Sequence, residues 1–195
     1  MVSFEVSKIE VINLLGVWLI LGPSGAGKSS FGEWLAAERN WLHLEIDQYL
    51  QDGIGKQNPR TEWNEFYERG KPRPFAEALQ QRVAASSKTS CVLTFSGCLV
   101  LPPERIVAAT RAGIRTIYLY GSAAQCITEF LKREQKSGRR LGLDHWILNN
   151  YQNGTYIEMS KPALARYRIH VFTHVGARIP HVEMFETLLS GEQVE

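Results

Sequence analysis

The sequence is short of cysteine, of long apolar runs and of excess charge, and each shortage excludes a class of protein. Its 195 residues include three cysteines, Cys91, Cys98 and Cys126. No two of them have the C-x-x-C spacing of a zinc site or a redox centre. We therefore expect buried thiols in a reducing cytoplasm rather than a disulfide framework.

The apolar and charged residues are too dispersed for a membrane span or a polyanion binder. The best apolar run, 14–21, contains Gly16 and falls far short of the roughly 20 residues that cross a bilayer. Glu5 and Glu10 precede it without a basic cluster, which argues against a signal peptide. Lys plus Arg number 22 and Asp plus Glu 20, so general nucleic-acid binding is not expected. No two of the five histidines lie at metal-ligand spacing on a predicted helix.

One glycine-rich segment carries the clearest chemistry. Gly22–Ser29 (GPSGAGKS) matches G-x-x-x-x-G-K-[ST] at every fixed position, after the apolar run 17–21. Glycines let successive backbone N–H groups surround a phosphate, and the following helix presents its N-terminal dipole to the same anion. Lys28 is predicted to reach the β- and γ-phosphates, and the Ser29 hydroxyl to ligate Mg²⁺. The predicted nucleotide-binding residues here are Gly22, Pro23, Ser24, Gly25, Ala26, Gly27, Lys28, Ser29 and Ser30.

Apolar runs alternate with helical patterns along the rest of the chain. This alternation is typical of βα units, and it predicts a three-layer α/β/α fold around a five-stranded parallel sheet. A weak alternation over 2–12 predicts a further strand, and 51–71 and 135–143 have the composition of insertions. The predicted strands are 17–21, 41–46, 90–95, 115–120 and 168–173, and the predicted helices are 28–39, 72–88, 102–112, 122–135, 145–160 and 180–189.

With this motif and layout, the chain resembles the P-loop NTPase superfamily over roughly residues 15–190. Within it, the chain looks like the small kinases of the shikimate kinase, gluconate kinase and nucleoside monophosphate kinase group. The resemblance implies one P-loop kinase-like domain over 1–195, with an acceptor-binding flap at 51–71 and a lid at 135–143. It also implies ATP and Mg²⁺ as cofactors.

Two carboxylates stand at the end of the second predicted strand. Glu45 and Asp47 are two residues apart, so both project from one face of an extended chain. Open α/β sheets bind ligands at the carboxyl ends of their strands. The resemblance implies that Asp47 orients or deprotonates the acceptor hydroxyl and that Glu45 supports the metal, although the family more often has Asp there. The alternative is a surface pair that caps the next segment.

The third predicted strand runs into Ser96 and Gly97. It lacks the terminal Asp that many P-loop ATPases use for Mg²⁺, which argues against motor and transporter ATPases. Shikimate kinases have a glycine triplet at this point that touches substrate, so the resemblance implies a substrate contact from Ser96 and the Gly97 backbone. A plain strand-to-helix turn is the alternative.

The acceptor segment departs from the family pattern. Shikimate kinases show G-E-x-x-F-R here, with the arginine on the substrate carboxylate, whereas this chain has Ala76 in that slot. That replacement argues against shikimate itself. Arg60, Arg73 and Trp63 are candidate substrate contacts, although aromatic residues at helical spacing are more often buried in a core.

Basic residues crowd the lid region beside the single acid Glu134. Such a run is usually a solvated face, but lid arginines of this kinase group neutralise the transferring phosphoryl. By resemblance, Arg133 ends the helix before the lid, and Arg139 or Arg140 corresponds to the arginine of an R-P-L-L motif. Arg178 lies in the segment where family members hold adenine, and is a further nucleotide contact.

The sequence therefore predicts an ATP-dependent, Mg²⁺-requiring kinase for a small-molecule hydroxyl, acting in the cytoplasm as a monomer or weak homodimer without a membrane partner. A nucleotide or polynucleotide-end kinase is one alternative, since Arg60 with Arg73 would suit a phosphate-bearing acceptor. A nucleotide-binding regulatory protein without kinase activity is the other. The absence of an N-K-x-D motif argues against GTP specificity.

Overall fold

The structure is a computed structural model that describes residues 16–46, 59–95 and 99–190, without the side chains of Pro59 and Arg60. The predicted strand over 2–12, the site residues Asp47, Ser96 and Gly97, and the thiol of Cys98 lie outside the described residues.

Five strands form a single parallel sheet. They are β1 (Val17–Leu21), β2 (Leu42–Glu45), β3 (Cys91–Thr94), β4 (Ile114–Tyr120) and β5 (Arg168–His170). Their order across the sheet is β2-β3-β1-β4-β5, so the second strand in sequence lies at one edge and β1 lies at the centre between β3 and β4. Parallel strands need crossover connections, and helices supply them here on both faces.

The helices pack two separate apolar layers against the sheet. The helices are α1 (Lys28–Glu38), α2 (Pro59–Tyr67), α3 (Pro72–Ala84), α4 (Pro103–Arg111), α5 (Ala123–Lys136), α6 (Leu143–Ile147), α7 (Thr155–Ser160) and α8 (His181–Ser190). Phe66 and Phe75 pack with Leu19 on one face, and Phe31 and Phe130 pack with residues such as Ile20 on the other. Alternate residues of β1 thus serve opposite cores, which confirms the predicted three-layer α/β/α fold.

The single helix predicted over 145–160 is wrong. The chain instead forms α6, a π-helical turn over Leu148–Gln152 and α7. Gly154 separates the last two with φ +69°, a left-handed conformation that an α-helix does not contain and that glycine adopts at little cost. Asn150 lies within the π-helical turn, and its side chain is fully buried.

The fifth strand is also shorter than the predicted 168–173. Pairing with β4 covers only Arg168–His170. Beyond it the chain folds back through a turn, in which the Gly176 N–H donates to the Thr173 carbonyl at 2.9 Å, and Phe172 forms an antiparallel bridge with Arg178. The strand ends early because the backbone groups of these residues form hydrogen bonds within the turn and do not pair with β4.

Two of the cysteines behave as expected for structural thiols. Cys91 and Cys126 are buried, and burial raises the pKa of the Cys91 thiol to about 12. In the described part of the chain, no helix combines the length and apolar character needed to cross a membrane.

Candidate functional site

The glycine-rich loop follows β1 at the centre of the sheet and adopts a backbone that only glycine tolerates. Gly22, Gly25 and Gly27 have φ values of +145°, +89° and +86°. A Cβ on Gly22 would collide with the Leu119 carbonyl oxygen, and one on Gly25 with the Cys126 carbonyl oxygen. The loop therefore lies flat against β4 and α5, and Gly27 leads directly into the first turn of α1.

Lys28 is the first residue of α1, and its side chain folds back over the loop. The ammonium group donates to the carbonyl oxygens of Gly22 at 2.8 Å and of Pro23 at 3.1 Å. The side chain is only 5% exposed. A buried ammonium held at the centre of a phosphate-sized loop supplies a positive charge of high local strength, because little water screens it.

Two buried residues that follow the lid in sequence form hydrogen bonds with the backbone of Ser24, at the crest of the glycine-rich loop. The Ser24 N–H donates to Asn150 Oδ1 at 3.0 Å, and Trp146 Nε1 donates to the Ser24 carbonyl at 2.8 Å. Asn150 also donates to the Trp146 carbonyl at 2.7 Å. Both side chains are fully buried. We call Trp146 and Asn150 the crest clamp. Sequence reasoning missed it, since no local pattern connects residues more than 120 positions apart.

Arg178 covers the other end of the loop. Its guanidinium donates to the Ala26 carbonyl at 2.6 Å and to the Gly25 carbonyl at 3.4 Å, and lies 5.2 Å above the Phe172 ring. The group occupies the space that a Cβ on Gly27 would need. Desolvation by burial lowers the pKa of Arg178, against the opposing influence of Glu129. The residue predicted as a nucleotide contact therefore lies against the glycine-rich loop itself.

Ser29, Ser30 and Glu45 lie around the same edge of the sheet. Ser29 occupies the second position of α1, and Ser30 Oγ lies 3.5 Å from His181 Nε2. Glu45 ends β2, pairs in register with Thr94, and is 28% exposed at its side chain. His43 Nε2 lies 2.8 Å from Thr94 Oγ1 and 3.9 Å from Glu45 Oε1. A hydroxyl and a carboxylate of this kind suit Mg²⁺, which takes few protein ligands and keeps water and phosphate oxygens as the rest.

The described acceptor candidates lie on α2 and α3. Trp63 is 7% exposed and stacks on Tyr67 and Phe95 at centroid distances of 5.7 and 6.3 Å. These contacts account for its burial within the core. The Arg73 side chain is 85% exposed, with Nε 3.9 Å from Glu77. Their roles as substrate contacts stay predictions, as do those of Asp47, Ser96, Gly97 and the Arg60 side chain outside the described region.

Two of the three candidate lid arginines converge on one buried carboxylate. Glu134 is 1% exposed, and its Oε1 accepts from Arg133 NH2 at 2.8 Å and from Arg139 NH2 at 3.2 Å. Arg139 Nε also lies 3.1 Å from the second carboxylate oxygen. Arg140 is exposed and makes no hydrogen bond or ion pair with any residue in the described segments. Glu134 therefore forms ion pairs with Arg133 before the lid and with Arg139 within it, and is not an isolated acid in a basic run.

Comparison with known proteins matches one family over most of the chain. A family model described as Shikimate kinase matches residues 24–178. A shikimate kinase of Enterococcus faecalis (strain ATCC 700802 / V583) is 30% identical over 115 residues, covering 59% of this chain and 62% of that protein. One of Pseudomonas entomophila (strain L48) is 33% identical over 107 residues, covering 55% and 59%. The chain thus aligns with about three fifths of the length of these relatives.

A solved structure agrees at the level of fold. Shikimate kinase from Bacteroides thetaiotaomicron superposes with a TM-score of 0.50 at 17% identity, covering 90% of this chain and 97% of that one.

Proposed function

Because this chain belongs to the shikimate kinase family, we propose that it transfers the γ-phosphoryl group of ATP to a hydroxyl of a small-molecule acceptor. The observation that carries the proposal is the glycine-rich loop, whose backbone is folded at the centre of a 2-3-1-4-5 sheet with the Lys28 ammonium buried above it. Helix α1 points its N-terminus at the same place, where a polyphosphate is stabilised by N–H groups and the helix dipole.

The residues around the loop fit both cofactors. A Cβ on Gly22 or Gly25 would meet the backbone of Leu119 or Cys126, so glycine at these positions lets the loop keep the cradle shape that a phosphate chain needs. Ser29 and Glu45 would hold Mg²⁺, which neutralises phosphate charge when bound. Lys28 would exchange its two carbonyl partners for phosphate oxygens. Arg178 would stay on the Gly25 and Ala26 carbonyls and keep the loop in shape.

Asp47 is the proposed group that orients the acceptor hydroxyl or takes its proton. In sequence it comes two residues after Glu45, which ends β2, and parallel sheets bind ligands at the carboxyl ends of their strands. Arg60, Arg73, Trp63, Ser96 and Gly97 are the candidate acceptor contacts. Ala76 is 2% exposed inside the core, so the slot of the family's carboxylate-binding arginine offers no charge. We therefore propose an acceptor other than shikimate.

Arg140 is the proposed lid arginine for the transferring phosphoryl group. Arg133 and Arg139 already have the Glu134 carboxylate as a partner, whereas the Arg140 guanidinium is exposed in the lid turn. Closure of 135–143 over the cradle would bring that charge to the phosphate without first breaking an ion pair. Charge stabilisation of this kind is a large term in phosphoryl transfer.

The acceptor is found by measuring ADP release against sugars, sugar acids including shikimate, nucleosides, nucleotides and aminoglycoside-like alcohols. We expect one class to stimulate ADP release, and Asp47→Asn to lower that stimulated rate by about 10²–10⁴-fold with ATP affinity unchanged. Asp144→Asn, an exposed carboxylate on α6, is the matched control. Undiminished turnover in Asp47→Asn removes Asp47 from the mechanism. ATP binding without stimulation by any acceptor would favour a regulatory protein instead.

The crest clamp gives a second prediction for the same site. Asn150→Leu keeps the size of the side chain but leaves the Ser24 N–H buried without an acceptor, which costs about 1–3 kcal/mol unless the loop moves. We expect ATP affinity to fall about tenfold, the equivalent of roughly 1.4 kcal/mol, in a calorimetric titration.

Asn149→Leu is the neighbouring control, because among the described residues Asn149 donates to the His145 carbonyl alone. An Asn150→Leu protein that unfolds at the wild-type midpoint and binds ATP as the wild type does would show that the clamp does not shape the cradle.

A further inference from the structure

The end of α5 contains a buried acid where helix electrostatics favour a basic residue. Of residues 131–145, all of which the structure describes, only Glu134 is buried. It lies in the last turn of α5, where the helix dipole favours cations and disfavours anions. Acidic side chains are almost never fully buried unless they are paired. The local stability of the helix end therefore does not account for a carboxylate at this position.

The turn that ends α5 brings Arg139 back to Glu134. Gly138 has φ +69°, and the Arg139 N–H donates to the Glu134 carbonyl at 3.0 Å. The Gly138 N–H donates to the Gln135 carbonyl at 3.2 Å, which completes the Schellman arrangement that often ends helices at a glycine. The side chains then join the same two residues: Arg139 Nη2 donates to Glu134 Oε1 at 3.2 Å, and Nε lies 3.1 Å from Oε2. Arg139 is therefore attached to the helix end through both its backbone and its side chain.

Arg133 supplies a second positive charge to the buried carboxylate. Its Nε and Nη2 donate to Glu134 Oε1 at 3.0 and 2.8 Å, and its guanidinium carbon lies 5.2 Å from the Phe130 ring centroid. An exposed ion pair contributes little because water and salt screen it. A buried carboxylate that accepts hydrogen bonds from two guanidinium groups is costly to break. The Glu134–Arg139 pair is therefore a firm contact at the base of the lid.

Arg140 comes directly after this contact, and the chain is fixed again soon afterwards. The Gly142 carbonyl accepts from the Trp146 N–H at 3.3 Å in the first turn of α6. Trp146 in turn donates through its indole to the Ser24 carbonyl of the glycine-rich loop. Only two residues lie between Arg139 and Gly142. The position of Arg140 relative to the loop therefore depends on where Arg139 is held.

We propose that Glu134 is a positioning residue for phosphoryl transfer: by holding Arg139 at the end of α5, it sets the place from which Arg140 reaches the transferring phosphoryl group. This inference rests on the proposed kinase function and on the proposed lid role of Arg140. Glu134 acts through Arg139 and does not itself contact the phosphoryl group. A displacement of about 1 Å in a preorganised site can cost 10²-fold in rate, so loss of this contact is expected to slow transfer.

The test is a double-substitution cycle on kcat. Glu134→Gln keeps the size of the side chain and removes its charge, and we expect it to lower kcat about tenfold. In an Arg140→Gln background the same substitution should lower kcat less than about twofold, because no Arg140 remains to be misplaced. Glu158→Gln, which removes an exposed ion pair with Lys161, is the control and should leave kcat unchanged in both backgrounds.

A second variant and a second measurement cover the case in which Glu134→Gln does not fold. Arg139→Gln removes a side chain that is 58% exposed and leaves Glu134 paired with Arg133, and it should lower kcat about as much. In both variants we expect the amide of residue 139 to exchange with solvent about fivefold faster or more, because the side-chain pair no longer protects its bond to the Glu134 carbonyl. The exchange is measured without nucleotide or acceptor, so it does not depend on kinase activity.

Two results would overturn this inference alone. One is an unchanged exchange rate at residue 139 in both variants, which would show that the side-chain pair does not hold the lid. The other is an equal loss of kcat from Glu134→Gln with and without Arg140, which would show a general effect on the fold. Absence of transfer by the wild type, or full kcat in Arg140→Gln, would overturn the proposed mechanism and this inference together.

Discussion

Lys28→Met is expected to lower acceptor-stimulated ADP release by about 10³-fold or more. The substitution keeps the apolar stem and removes only the ammonium group, which is the charge that the cradle offers to the β- and γ-phosphates. Stabilisation of developing phosphate charge inside a dry site is worth orders of magnitude in rate. The measurement is single-turnover phosphoryl transfer with the acceptor found by the screen, or basal ATP hydrolysis if transfer is too slow.

Folding must be separated from chemistry in this variant. The Gly22 and Pro23 carbonyls lose a buried donor, which costs about 1–3 kcal/mol of unfolding free energy. Lys88→Met is the control, because Lys88 is half-buried and donates to Asn40 Oδ1 at 3.1 Å before β3 begins, at the amino end of the strands. A folded Lys28→Met protein with wild-type turnover would show that the cradle binds nucleotide without contributing to transfer.

The fold was predictable because its signals are local and repeat along the chain. Val17–Leu21 is an unbroken apolar run, as a strand buried at all five positions requires. The glycine motif that follows it is continuous in sequence. Register and strand ends depend on partners far along the chain. β5 ends at His170 because the turn after Val171 uses the backbone of Thr173 for its own hydrogen bonds. No periodicity in 168–173 reports that turn.

The candidate site was predictable to the same extent and for the same reason. Lys28 and the loop glycines are fixed by a motif of eight residues. The clamp of Trp146 and Asn150 on Ser24 involves a π-helical turn inside the segment predicted as one helix, and the pairing of Arg133 with Glu134 depends on the burial of a carboxylate in a run that predicts a solvated face. The clamp and this ion pair both result from packing, because the burial of Asn150 and of Glu134 depends on residues far along the chain. No local pattern in a single sequence reports such packing.

Gly25→Ala is expected to lower ATP affinity by about 10²-fold or more. A Cβ at this position would collide with the Cys126 carbonyl oxygen and stand 2.9 Å from the Cys126 carbonyl carbon and 3.0 Å from the Phe130 N. These are backbone atoms of α5, so no side-chain rotation relieves the clash and the loop itself must move. A displacement of about 1 Å in a preorganised site can cost 10²-fold. Calorimetric titration with ATP measures the loss.

The positive φ of Gly25 has its own cost, which a matched variant isolates. Alanine at φ +89° is strained by roughly 1–2 kcal/mol, and that strain alone would lower the unfolding free energy without moving the loop. Gly154→Ala carries the same kind of strain at φ +69° with no atom within 4 Å of the new Cβ, and it lies after the clamp residues. We expect Gly154→Ala to lose stability and keep ATP affinity within about threefold, since its effect is on folding. Equal losses of ATP affinity in the two variants would mean that backbone strain, and not the packing of the loop against α5, sets the shape of the cradle.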